Sequence, residues 1–124
     1  MDLKDVFLNN ENFKNLSKTR NIRELTIKLI ELFEKEGFKF YPEWRGIHRS
    51  GEYRKNYTFK VEQPTGKLVN IITVYPMDGW LKVEVYRGQY DKTHYSVFQN
   101  NIDDYEQMKP MLYDVRDIYN SISI

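Results

Sequence analysis

Apolar and polar residues alternate along Tyr57-Thr58-Phe59-Lys60-Val61-Glu62. Successive side chains of a strand point to opposite faces, so this run predicts a strand with Tyr57, Phe59 and Val61 on one face and Thr58, Lys60 and Glu62 on the other. Gln63-Pro64-Thr65-Gly66 follows and reads as a turn, since proline presets φ and glycine tolerates the positive φ of a turn exit. Leu68 to Tyr75 predicts the next strand, with Val69, Ile71 and Tyr75 on one face and Leu68, Ile72 and Val74 on the other. A strand apolar on both faces is expected to be central and covered, at least in part, on both sides. Pro76-Met77-Asp78-Gly79 repeats the turn chemistry. Leu81 to Tyr86 alternates again, with Leu81, Val83 and Val85 inward and Lys82 and Glu84 outward. The short turns make these three strands an antiparallel meander. Thr93 to Phe98 predicts a fourth strand, and Phe38-Lys39-Phe40-Tyr41 a shorter one ended by Pro42.

Two segments carry the helical period instead. Between Asn21 and Gly37, Ile22, Leu25, Leu29, Leu32 and Phe33 form an apolar stripe. Asn21 and Glu24 stand at capping-box spacing, and Gly37 is a natural stop. Near the C-terminus, Asp103 and Glu106 are again at capping spacing, and Asp103-Asp104 reads as a helix cap rather than a metal site. Pro110 is awkward inside a helix but suits the first turn of one, so a short turn and then a helix from Pro110 to about Ser121 are expected. Its stripe is Met111, Leu112, Val115, Ile118, Tyr119 and Ile122. The order helix, antiparallel sheet, helix predicts an α+β fold: a meander of four to five strands with an N-terminal and a C-terminal helix packed on one face. Residues 1–20 read as an arm, possessing short apolar groups broken by Asn9-Asn10-Glu11-Asn12, and residues 21–124 as a single domain.

Composition narrows the function classes. The chain has 124 residues, enough for one core, and ten tyrosines and seven phenylalanines to fill it. It has no cysteine, which excludes disulfides, thiolate metal sites and a cysteine nucleophile and fits a cytoplasmic setting. No apolar run approaches the roughly 20 residues of a membrane helix, and the N-terminus lacks the basic-then-apolar pattern of a signal peptide. Alanine, with its GC-rich codons, is absent, while Asn, Lys, Ile and Tyr are heavily used. That bias points to a low-GC bacterium, or to a phage or mobile element living in one. No glycine-rich loop ends in Lys-Ser or Lys-Thr, and no metal-ligand set is recognisable, so no cofactor is expected.

Net charge is +1, but its distribution is uneven. From Lys39 to Lys60 there are six Lys/Arg against two Glu, whereas from Asn101 to Ile124 there are two against five Asp/Glu. The basic stretch interleaves Tyr41, Trp44, Tyr53 and Tyr57 with Arg45, His48, Arg49, Arg54 and Lys55. Guanidinium groups bind phosphates bidentately and aromatic faces stack bases, so this segment is the candidate site: Trp44, Arg45, His48, Arg49, Tyr53, Arg54 and Lys55. The competing reading is a solvated loop whose aromatics fold back on the core. Tyr86-Arg87-Gly88-Gln89-Tyr90 reads as a turn whose arginine would extend the basic patch if it folded beside Arg45.

The two histidines occur as His48-Arg49-Ser50 and His94-Tyr95-Ser96. These pairs are similar to the His-x-Ser/Thr motifs of two-histidine phosphoesterases, and the resemblance implies imidazoles acting as general acid and base on a phosphodiester. The motifs of that family lie farther apart, each on a strand of one of two similar lobes. Here only His94 has a strand context, and two ordinary histidines are the stronger reading.

The first functional expectation is therefore a non-enzymatic binding protein with an anionic partner, nucleic acid or a nucleic-acid-handling protein, in an accessory or anti-defence role. The alternatives are a binder of a nucleotide-like, phosphate-bearing ligand and a phosphodiesterase using His48 and His94. An uncovered apolar side of the central strand would suit a homodimer, although the second helix would cover it equally well.

Overall fold

The computed structural model describes residues 20–45, 56–88 and 90–123, with Asp5 and Leu8; of Arg20, Trp44 and Arg45 it describes the backbone alone. The expected arm, residues 1–20, thus lies almost wholly outside the described residues. Helix α1 spans Arg20–Lys35, followed by strands β1 (Tyr41–Arg45), β2 (Asn56–Glu62), β3 (Leu68–Pro76), β4 (Leu81–Tyr86) and β5 (Lys92–Val97) and helix α2 (Tyr105–Ser123). The strands form one antiparallel sheet in the order β1-β2-β3-β4-β5, so the expected α+β meander of five strands and two helices is what the chain adopts.

The alternation in β2 and β4 sets which face is apolar. Tyr57, Val74, Val83 and Tyr95 are successive neighbours across four strands, and Phe59, Ile72 and Val85 form the next row. Both helices cover this face. Phe33 of α1 meets Phe59 edge-on at 5.8 Å and Phe40 at 5.4 Å. Tyr119 of α2 closes the cluster against Phe38 at 5.2 Å and accepts a hydrogen bond from the Lys39 backbone N–H at 3.1 Å. Ile27, off the main stripe of α1, is partly buried against the same core. Two ties run at the periphery, Lys28 of α1 to Asp103 just before α2 at 2.8 Å and Arg116 of α2 to Glu36 just after α1 at 2.6 Å.

Four local expectations are corrected. The first concerns β3. Its register against β2 shifts by one residue, so that Phe59 faces Ile72 while Lys60 faces Asn70. Ile71 is the extra residue of a β-bulge, and a bulge turns two consecutive side chains towards one side. Val69, Ile71, Ile72 and Val74 all join the core, leaving Leu68, Asn70, Thr73 and Tyr75 on the second face. β3 therefore turns its buried apolar residues to one face, while the half-exposed Leu68 and Tyr75 stand among polar residues on the other.

The second correction moves the first strand. Phe38 and Phe40 are buried before it, and β1 runs through Pro42 instead of ending there. β1 is an edge strand, where one set of backbone groups has no ladder partner and a proline need cost no bond. Third, α2 is continuous through Pro110. The cap is Asp104 rather than Asp103: its Oδ1 accepts from the Glu106 N–H at 3.1 Å and its Oδ2 from the Gln107 side chain at 3.0 Å. Pro110 is the sixth residue of the helix and exposed, so the carbonyl it leaves without an intrahelical donor can reach water. Fourth, α1 begins at Arg20, which puts Asn21 inside the first turn instead of at the cap.

The predicted turns hold. Gly66 (φ 90°) and Gly79 (φ 80°) supply the positive φ, with Gly66 N–H donating to Gln63 O and Met77 N–H to Trp80 O, each at 2.8 Å. Among the described residues no helix is long and apolar enough to cross a membrane.

Candidate functional site

Of the candidate binding residues, Trp44 and Arg45 end β1, where their backbones pair with Tyr57 and Asn56. His48, Arg49, Tyr53, Arg54 and Lys55 lie outside the described residues. The structure therefore neither assembles that set nor separates it. It does fix the two ends of the connection, since Arg45 and Asn56 are direct cross-strand partners and residues 46–55 join them at one end of the sheet. Arg87 is at the opposite end, just past the pairing of Tyr86 with Lys92. It does not extend the basic patch beside Arg45; it pairs with Asp114 of α2 instead.

The end of the sheet where Arg45 pairs with Asn56 also carries the β3–β4 turn and the exit of β5, because Pro76 pairs with Leu81 and Leu81 with Val97. Trp80 and Phe98 stack there, ring centroids 5.4 Å apart and 26° between planes. Phe98 is 39% exposed and Met77 43%, so an apolar, largely aromatic surface caps this end. Sequence reasoning treated Met77 as turn and Phe98 as strand and left Trp80 unassigned. Their meeting is a property of the register, which pairs Leu81 with Val97 and so brings the residues just before β4 and just after β5 together.

The second face of the sheet is polar, and it is ordered. Glu43, Thr58, Thr73, Glu84 and His94 are successive cross-strand neighbours over all five strands. Thr58 and Thr73 are buried, and so is Glu84, at 3% exposure, although alternation alone had it facing outward. Around its carboxylate stand Lys82 Nζ at 3.5 Å, Lys92 Nζ at 3.6 Å and His94 Nδ1 at 3.7 Å. The Tyr86 hydroxyl donates to Oε2 at 2.6 Å. Burial pushes the carboxyl up, but the Tyr86 hydrogen bond with Lys92, Lys82 and His94 outweighs it and holds the group below its ordinary value. Burial, then the bond to Glu84, raises the Tyr86 phenol. His94 thus stands near a carboxylate without a hydrogen bond to it; its partner in the phosphodiesterase reading, His48, lies outside the described residues.

Beyond Val85 the two central strands part. β3 continues from Ile72 to Leu68 paired with β2 alone, while β4 ends at Tyr86. A cleft of about 270 Å³ opens there, lined by Asn70 and Ile71 of β3, Tyr86 and Arg87, and Ile122 of α2. Asn70 Nδ2 donates to Thr73 Oγ1 at 3.4 Å, and Asn70 Oδ1 is buried with no hydrogen-bond partner among the described residues. One wall is stiffened by Asp114, which is buried, pairs with Arg87 and accepts from the Tyr95 hydroxyl at 3.0 Å. Burial and the Asp114 carboxylate push the Tyr95 phenol up to about 12.

Among the described residues no group of three or more His, Asp or Glu is placed to hold a metal ion. Neither a family model, nor a curated protein, nor a solved structure matches this chain.

Proposed function

We propose that this chain is a non-enzymatic binding domain that engages single-stranded nucleic acid at the end of the sheet from which residues 46–55 extend. The observation that supports this reading most is the half-exposed Trp80–Phe98 stack, which shares an end of the sheet with the pairing of Arg45 and Asn56, the residues that flank 46–55. Exposed aromatic faces stack bases without sequence preference, while Arg45, Arg49, Arg54 and Lys55 would neutralise phosphates. Neither feature alone singles out nucleic acid; exposed aromatic faces together with several cations are what a single strand asks of a protein. The amino-acid bias of the chain fits an accessory protein of a low-GC bacterium or of a mobile element within one.

The test is fluorescence anisotropy with labelled single-stranded DNA, duplex DNA and RNA across a salt series. Binding should fall steeply with salt, and the log–log slope should drop by about 0.7 for each arginine removed in R45A/R49A. Trp80→Ala should weaken single strands more than duplex. No binding at low salt would discard nucleic acid, and an acidic protein surface would become the partner to look for.

A further inference from the structure

We propose that the second face of the sheet holds a site for a small phosphate monoester: Lys82, Lys92 and His94 grip the phosphate above Glu84, and the remainder of the ligand lies along Tyr86 into the cleft at Asn70. The site uses none of residues 44–55, so it stands or falls independently of the nucleic-acid reading.

The first ground is an imbalance of charge around a buried group. Two lysines and a histidine converge within 3.5–3.7 Å of one carboxylate. Among the described residues its one hydrogen bond comes from Tyr86, so the lysine ammonium groups face Glu84 without committing their N–H donors to it. A single negative charge leaves at least one positive charge in excess, and two when His94 is protonated. The exposures complete the picture: Glu84 is 4% exposed at its side chain, against 35%, 45% and 46% for Lys82, Lys92 and His94. The cations form an accessible rim over a buried anion. A tetrahedral dianion resting on that rim would use donors that are already turned inward, and phosphate is the common biological group of that shape and charge.

The second ground is rigidity. Glu84 faces His94 directly, Tyr86 faces Lys92 and Lys82 faces Ser96, so the three cations are set by the β4–β5 ladder and not by a loop. Lys82 is steadied by the Tyr75 ring, 5.5 Å from its Nζ. The third ground is the buried acceptor of Asn70, an unsatisfied group in a cleft that Tyr86 also lines. Such a group is costly to leave unmade; the oxygen is closed to solvent, so a ligand hydroxyl or amino group would meet it after a turn of the Asn70 side chain within the cleft. Tyr86 is the link, since its hydroxyl touches Glu84 and it forms a wall of the cleft.

The experiment is a calorimetric and NMR titration of the full chain in a phosphate-free buffer with inorganic phosphate and, separately, adenosine monophosphate. Both should bind and shift the His94 ring resonances. The nucleotide should bind more tightly and also shift the Asn70 side-chain amide. K82A/K92A, which alters two half-exposed side chains, should fold normally and lose at least about tenfold in affinity. Glu84→Gln should tighten phosphate binding, because it removes the one charge that repels the ligand and keeps the Tyr86 acceptor. Absence of shifts with either ligand, unaltered binding in K82A/K92A, or equal affinities with a silent Asn70 amide would each overturn the proposal.

Discussion

Replacing Glu84 by glutamine should destabilise the protein at neutral pH and matter progressively less in acid. Glutamine preserves shape and a carbonyl acceptor for the Tyr86 hydroxyl, now 2.6 Å from Oε2. The bond changes from charge-assisted to neutral, a difference of about 1 kcal/mol. Lys82, Lys92 and His94 lose their counter-charge, but all three are half-exposed and screened, so their combined share is a further ~0.5–1 kcal/mol at most. Against this, a neutral amide is cheaper to bury than a carboxylate, which offsets part of the loss. The net expectation is a cost of about 1 kcal/mol. Its pH dependence follows from the direction of the shift. The folded protein holds this carboxyl below its ordinary value, so the ionised form is the one that folding favours. The stabilisation is complete above the ordinary carboxyl range of about 4.3 and is lost as pH falls through the lower folded value. Urea unfolding of wild type and Glu84→Gln, in phosphate-free buffer from neutral pH to about pH 3, isolates the effect, because every other carboxyl is common to both chains. A difference that stays constant down to pH 3, or a variant as stable as wild type at pH 7, would refute the reasoning.

Phe33 is fully buried and touches Phe38, Phe40 and Phe59, so Phe33→Ala should cost about 3–5 kcal/mol in urea unfolding; Phe33→Leu should cost well under half of that. Pro110→Ala should raise the melting temperature, because it restores the bond to the Glu106 carbonyl and relieves the ring clash at an exposed position, a gain of about 1–2 kcal/mol; an unchanged or lower melting temperature would mean that the helix has already relaxed around the proline. Gly66→Ala should cost about 1 kcal/mol from backbone conformation alone, since φ is 90° there and an added Cβ meets nothing within 4 Å. Gly66→Asn should recover part of it, and equal stability of the two would count against the turn as described.

The strands whose partner is irrelevant to their pattern could be read directly. β2 and β4 alternate cleanly, the turn glycines sit where φ must be positive, and the stripe of α1 identifies its buried face. The rest depends on neighbours that a local reading does not see. Leu68 to Tyr75 has apolar residues at both parities, and only the register against β2 reveals that one extra residue, Ile71, reconciles them. Glu84 reads as an outward polar residue, and it is; what buries it are Lys82 and Tyr86 beside it and His94 and Lys92 from the next strand. Likewise the Trp80–Phe98 stack joins a turn to a strand exit, a contact with no local signature. The basic-aromatic segment was the most visible feature of the sequence because its signal is compositional, and composition carries no geometry.

The bulge at Ile71 connects the core to the second face. With an uninterrupted ladder between β2 and β3, Ile71 would turn outward, and an apolar side chain would occupy the polar face next to Tyr86. Inserting one residue keeps both isoleucines in the core and turns Asn70 outward. It also bends β3, as bulges do, at the point where its pairing with β4 stops. The cleft, its Tyr86 wall and the Asn70 oxygen, which has no hydrogen-bond partner among the described residues, all lie on that side of the bulge. Bulges are frequent where a sheet re-aims a side chain or ends its pairing, and here both happen within three residues. The stability of the core therefore does not compete with the polar character of the second face: the same inserted residue that satisfies the packing of Ile71 and Ile72 leaves a rigid, polar and partly unsatisfied surface beside Glu84.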